Sequence, residues 1–413
     1  MMPTEKAIAM FRSRIRDDSD YQNRTILGRL LLRQAQETGE LSLYSDAERV
    51  LREAHAISPE HTATRLHLAD ALCARHEFNE AIRLVSPVLE RDKDNLSAIA
   101  SLGDASLNIG DIEAAEQYYA RLSELSQAPA VSARLAHCDE LRGKIDSAIS
   151  NLNNAIDQSA RYDLPDSERA WYMWRLGTIY WSQGDWASAK ASFKKTIEIV
   201  PDHVDAVIGL AQTLAATRDD DDAIHRLTEV VDRTADPPAM ALLADLLLLN
   251  GDDKQARVWL DKADRAMAEE AKVAAAAHYR EYANFLSDHA TRPEQALELA
   301  RKDFKRRPDV YSHDALAWAL YHNKEYRLAK DMIEHALALG TRDAKLHFHA
   351  SLIKAALGNQ AAANQHLQTS RSINPMIAQW SNRVLALTGS SLAPATEPVN
   401  HNNQTDENET DES

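Results

Sequence analysis

Apolar and small residues recur along most of the chain at a spacing that indicates short paired helices. Residues 171–201 show the pattern most completely, and they predict two helices whose apolar sides carry Leu176, Gly177 and Tyr180 in the first and Ala189, Phe193 and Ile197 in the second. Gly184 lies in the turn between them, and Pro201 ends the second helix because proline lacks the amide donor that would continue it. A hairpin this small cannot bury its own apolar face, so neighbouring hairpins must cover it.

The small residue of the second helix recurs ten times in one phase. Seven of the nine intervals are 33 or 34 residues and the other two are 40 or 41, and the residues are Ala47, Ala81, Ala115, Ala148, Ala189, Ala223, Ala256, Ala296, Ala329 and Ala363. The first helix has a matching series at Gly28, Ala69, Gly103, Ala136, Gly177, Ala211, Ala244, Ala283, Ala317 and Ser351. An apolar residue follows each alanine of the second helix by four positions. These series predict a continuous stack of hairpins.

The spacing resembles the tetratricopeptide repeat. Leu176, Gly177 and Tyr180 match its L-G-x-x-Y motif, a small residue follows the glycine by twelve positions, and an aromatic residue and a proline come after it. The resemblance covers residues 4–387 and implies an all-α fold, an α-solenoid of about ten helix–turn–helix units in a right-handed superhelix. It also implies a non-catalytic scaffold that binds a partner protein or peptide in its concave groove.

The positions at which the repeats begin and end divide the chain into four parts. We predict an N-terminal half-repeat capping helix in residues 1–19, the tandem array in 20–375, a C-terminal capping helix in 376–388 and a disordered acidic tail in 389–413.

Three units carry six or seven extra residues, close to two helical turns, so their helices can lengthen and keep the same face inward. The alanine-rich run 266–283 suits one lengthened helix, whereas Pro165 predicts that part of the insert 157–169 is loop.

Charge and composition narrow the function. The net charge of −16 argues against a nucleic-acid partner, because phosphate binding needs a basic surface. The chain has no signal-like apolar segment and no run of about 20 apolar residues, so we expect a cytoplasmic protein without membrane insertion. Two cysteines, Cys73 and Cys138, do not make a disulfide framework and are expected to be buried or half-buried.

The motifs of common catalytic sites are missing from the sequence. It has no phosphate-binding glycine loop, no Gly-x-Ser-x-Gly elbow and no zinc spacing. The run Asp219–Asp222 lacks the calcium-loop pattern, and His347 and His349 are two positions apart, so they point to different sides of a helix. We therefore expect no catalytic residue, no metal and no cofactor.

Aromatic residues on two first helices are the candidate binding residues. Trp171, Trp174 and Trp181 lie opposite the packing face of one helix, and Tyr311, Asp314, Trp318 and Tyr321 do so on another. Two aromatic platforms in a groove could hold a peptide, because Trp and Tyr give large contact areas and recur at binding hot spots. The alternative is that these side chains pack against neighbouring helices.

Two other features leave alternatives open. Asp70 and Asp104 predict an acidic N-terminal groove that would favour a basic ligand, or else a merely solvated acidic face.

The array could instead act in assembly, forming a homo-oligomer or organising a complex through its convex face. Sedimentation of the protein alone would separate assembly from partner binding, because only self-association depends on its concentration.

Overall fold

Helices and the short connections between them make up the described structure. The computed structural model describes residues 3–15, 17–273 and 278–387, and within these ranges it contains no β-strand. The helices are α1 (Thr4–Arg14), α2 (Tyr21–Thr38), α3 (Ser42–Ile57), α4 (Thr62–Ala74), α5 (Phe78–Arg91), α6 (Leu96–Asn108), α7 (Ile112–Leu125), α8 (Pro129–Leu141), α9 (Ile145–Arg161), α10 (Asp166–Ser182), α11 (Trp186–Ile199), α12 (Val204–Ala216), α13 (Asp220–Thr234), α14 (Pro237–Leu249), α15 (Asp253–Val273), α16 (Tyr279–Asp288), α17 (Pro293–Arg306), α18 (Val310–His322), α19 (Tyr326–Leu337), α20 (Ala344–Ala356), α21 (Gln360–Ile373) and α22 (Pro375–Leu387).

Helices α2 to α21 form ten hairpins, with α1 packed before them and α22 after them. Each second helix also packs on the first helix of the next hairpin, and first helices contact one another, as α4 does with α6 and α10 with α12. The predicted all-α solenoid of ten helix–turn–helix units is thereby confirmed. The predicted tail, 389–413, lies outside the described residues.

The ten alanines of the second helices are buried within the stack. None of them is more than 4% exposed. The residue four positions after the alanine fills the space left by the small residue of the first helix. Phe193 is an example, because a Cβ atom on Gly177 would lie 2.7 Å from its ring. A Cβ atom on Gly209, in the first helix of the next hairpin, would lie 2.5 Å from the same ring. Glycine at both positions lets one aromatic ring join two hairpins, and burying such a ring contributes about 1.5–3 kcal/mol.

The predicted insertions fall in lengthened helices. Helix α2 has 18 residues and α9 has 17, and the loop after α9 contains Pro165 as expected. Helix α15 has 21 residues, but it ends at Val273 and α16 begins at Tyr279. The lengthened helix expected at the alanine-rich run is therefore α15, which contains the run as far as Val273. Residues 274–277 lie outside the described residues, and His278, the N-cap of α16, has φ −115° and ψ 9°, outside the α-helical region.

Hairpins five units apart also contact each other. The turn glycines Gly110, Gly143 and Gly184 have positive φ and pack against the backbone of the loops that follow α17, α19 and α21. Hydrogen bonds join the same segments: Thr341 Oγ1 donates to the Leu141 carbonyl at 2.6 Å, and Asn374 Nδ2 donates to the Trp181 carbonyl at 2.8 Å. We call this line of contacts between successive superhelical turns the turn seam.

The turn seam and α22 divide the inner wall of the superhelix. Helix α22 packs against α14, α16 and α20 as well as α21, so part of the concave side is covered by the chain itself. Several pockets lie along this inner surface. No helix in the part of the chain that the structure describes is long and apolar enough to cross a membrane.

Candidate functional site

A cavity of about 570 Å³ lies on the inner wall between α6, α8 and α10, and we call it the groove pocket. Trp171 and Trp174 line it, with their ring centroids 6.3 Å apart. Trp171 is 43% exposed and packs edge-on against Tyr172 at 5.3 Å, while Trp174 lies 5.9 Å from His203. Two of the predicted binding residues therefore form an accessible aromatic ledge.

The charged groups around this ledge neutralise one another. The Asp104 carboxylate accepts hydrogen bonds from Arg134 Nε at 2.8 Å, Arg134 Nη2 at 2.7 Å and the Tyr119 hydroxyl at 2.7 Å. Arg175 pairs with Glu140 on the same wall. The expectation of an acidic groove at Asp104 is wrong, because a bidentate arginine cancels its charge.

The arginines of the groove pocket were missed by the sequence analysis. Arg134 and Arg175 each stand two positions before the small residue of their first helix, and Asp104 stands one position after its own. In the superhelix, these offsets bring the side chains of neighbouring first helices into contact. A comparison of equivalent positions in successive repeats could have revealed the Asp104–Arg134 pair.

The second predicted platform is buried. Asp314, Trp318 and Tyr321 are 6%, 1% and 4% exposed. Trp318 stacks on His349 with centroids 4.2 Å apart, and its Nε1 donates to Asp288 Oδ1 at 2.9 Å. The expectation of an open aromatic surface here is corrected: the side chains form interior packing, and the alternative interpretation describes them.

The remaining two predicted residues line separate cavities of about 330 Å³ each. Trp181 shares one with Asp245, Lys345 and Trp380, where α22 closes the groove. Tyr311 lines the other, at the turn seam, and we call that cavity the seam pocket. Of the seven predicted residues, two line the groove pocket, two line one further cavity each, and three are interior. Only Trp171 and Trp174 share an open surface.

Neither cysteine is a reactive thiolate at neutral pH. Cys138 is buried and Cys73 is half-buried, as expected, and burial raises the pKa of both thiols to about 12, so both are protonated at neutral pH. Across residues 3–15, 17–273 and 278–387, no group of three or more His, Cys, Asp or Glu side chains could hold a metal ion.

Buried His322 predicts a loss of stability in acid. It lies edge-on to Trp318 at 4.3 Å, and burial lowers its pKa to about 4. The unfolded chain takes up a proton at this residue below about pH 6.5, whereas the folded chain does so only near pH 4. Between these values the unfolded state binds more protons than the folded state. The free energy of unfolding therefore decreases as the pH is lowered, by up to about 1.4 kcal/mol per pH unit.

Urea unfolding at pH 7.5 and pH 5 would measure this effect in the wild type and in His322→Phe. We expect the variant to lose less stability between the two pH values, because phenylalanine fills a similar space and does not titrate. An identical loss in both proteins would contradict the assignment.

Three sequence profiles described as tetratricopeptide repeat match parts of the array. One matches residues 42–106 and 180–241, a second matches 129–202 and a third matches 96–129. The Caenorhabditis elegans protein named Tetratricopeptide repeat protein 8 is 27% identical over 155 residues, which is 37% of this chain. The chain spans 30% of the length of that relative.

Several solved structures are similar to parts or most of the chain. MamA is 22% identical, with 40% of this chain and 93% of MamA covered and a TM-score of 0.33. Yeast Tom70 is 13% identical over 93% of this chain and 91% of its own, with a TM-score of 0.40. PilW, described as a type IV pilus biogenesis factor, is 14% identical over 49% and 91%, with a TM-score of 0.43.

Proposed function

The chain belongs to the tetratricopeptide-repeat family, and from this premise we propose that it is a non-catalytic scaffold that binds a partner polypeptide in the groove pocket. The observation that carries the proposal is the exposed aromatic ledge of Trp171 and Trp174 on the concave wall. A large aromatic side chain left 43% exposed in a cavity is more informative than one buried in a core, because burying it against a partner removes apolar surface from water.

The surroundings of the ledge favour an extended peptide with few charges at the contact. The two nearby ion pairs, Asp104–Arg134 and Glu140–Arg175, leave no net charge on the wall between them. Their side chains are held by hydrogen bonds before a partner arrives, so binding does not have to order them. The apolar ledge then supplies affinity, and the fixed polar groups around it supply orientation.

The proposal predicts that Trp171→Ala combined with Trp174→Ala weakens partner capture. Hot-spot aromatic residues typically cost 2 kcal/mol or more when truncated, which is about thirtyfold in the dissociation constant for each such residue. An affinity pull-down from the native cell, quantified by mass spectrometry, would compare the double variant with the wild type.

Trp259→Ala is the matched control, because Trp259 lies on a second helix beneath Lys262, whose Nζ is 3.7 Å from the ring centroid. It should leave the captured proteins unchanged. Circular dichroism should show full helicity in all three proteins. Equal capture by the wild type and the double variant, with helicity intact, would reject the groove pocket as the binding site.

A further inference from the structure

The seam pocket offers a second binding element next to the groove pocket. Its walls come from both superhelical turns, with Leu107, Ile112 and Leu141 on one side and Val310, Tyr311 and Leu339 on the other. Leu107, Asn108 and His137 line both pockets, so the two cavities adjoin along α6 and α8. A polypeptide lying on the Trp171–Trp174 ledge would therefore pass the mouth of the seam pocket.

The apolar walls and the volume of the seam pocket suit an aromatic ring. An engineered apolar cavity of about 150 Å³ binds benzene, and the seam pocket encloses about 330 Å³. A small polar side chain in the pocket would leave most of the apolar wall without contacts, whereas an aromatic ring would cover it.

Two polar groups line these walls: the Tyr311 hydroxyl and the His137 ring. Burial holds the pKa of the Tyr311 phenol well above its usual value and lowers the pKa of His137, so both groups are neutral at pH 7. Each can donate one hydrogen bond and accept one. A ligand hydroxyl that reaches either group can form a hydrogen bond with it.

The charges on the walls select against an ionised ligand. Arg280 Nη1 donates to the two oxygens of Asp309 at 3.2 and 3.1 Å, so these two charged side chains are already paired with each other. An ammonium or carboxylate entering the pocket would lose its hydration without gaining an opposite charge. The pocket therefore fits a neutral group with an apolar body and a polar tip.

From these contacts we propose that the seam pocket is an anchor site for an uncharged aromatic side chain carrying a hydroxyl, a tyrosine of the bound polypeptide. The inference rests on the proposed function for the nature of the ligand. It adds that the partner segment carries this residue, and that the anchor reaches both superhelical turns at once.

The test uses the full-length protein with p-cresol, which is the tyrosine side chain alone, and follows binding by saturation-transfer NMR. We expect saturable binding of p-cresol and none of n-butylammonium or propionate, which stand in for lysine and glutamate. Tyr311→Phe should weaken p-cresol binding about three- to tenfold, the effect of one lost hydrogen bond.

Ala338→Trp provides the blocking variant. Ala338 lines the pocket yet is exposed, so a larger side chain can enter the mouth without disturbing the core, and p-cresol binding should disappear. Trp259→Ala should leave p-cresol binding unchanged, since that residue lines neither the seam pocket nor the groove pocket.

Failure of the anchor and failure of the groove proposal are distinguishable. The anchor is overturned if p-cresol does not bind, if the charged probes bind equally well, or if Ala338→Trp and Tyr311→Phe both bind it like the wild type. None of these results depends on partner capture, which the Trp171 and Trp174 variants test separately.

Discussion

Replacing Trp318 by alanine is expected to lower the free energy of unfolding by about 3–5 kcal/mol, the range for truncating a large buried aromatic residue. The Trp318 ring is 1% exposed and stacks on His349, with Phe348 edge-on at 6.5 Å. Its removal leaves a cavity among three first helices. It also removes a hydrogen bond from Asp288, whose other oxygen accepts from Lys345 Nζ at 2.8 Å.

Trp171→Ala is the control for that variant, because the same residue type stands on the same side of another first helix but is 43% exposed. Its effect on stability should stay within about 1 kcal/mol, since little of its contact surface is lost on truncation. Urea unfolding followed by circular dichroism measures both. Similar losses for the two variants would show that Trp318 is not the interior residue described here.

Replacing Gly143 by alanine is expected to cost about 2–5 kcal/mol through two separate effects. Gly143 has φ +69°, a conformation that costs an L-residue about 1–2 kcal/mol. An added Cβ would also meet the carbonyl oxygen of Gly340 across the turn seam. Because that atom belongs to the backbone, the loop after α19 must move as a whole, and overpacking of this kind adds about 1–3 kcal/mol.

Gly358→Ala separates these two effects. Gly358 has φ +77° in the same kind of turn, but a Cβ there would have no atom within 4 Å. The control should therefore cost only about 1–2 kcal/mol from backbone strain. Hydrogen exchange should rise near Thr341, whose hydroxyl bonds to the Leu141 carbonyl, in Gly143→Ala but not in Gly358→Ala. Equal exchange at Thr341 in both variants would count against the turn seam.

The local pattern was enough to predict the architecture. A helix buries the same face every 3.6 residues, and a hairpin repeats its small residues wherever two backbones approach, so both signals recur in the sequence itself. The alanine series was therefore identified in phase, and all ten members are interior. The alanine-rich run indicated the lengthened α15 but not where α16 begins, because composition measures helix propensity and not the backbone conformation of His278.

The exposure of the groove residues depended on contacts that have no local period. Trp171 and Trp318 both lie opposite the packing face of a first helix, and the sequence could assign them the same role. Their surroundings differ because Trp318 lies among a buried network of Asp288, Lys345 and His349, while the wall around Trp171 remains open. The turn seam joins hairpins about 200 residues apart, as Thr341 and Leu141 show. Repeat spacing thus determined which helices pair. Only the contacts between successive superhelical turns decided which inner surfaces remain accessible, because those contacts depend on the summed geometry of many hairpins.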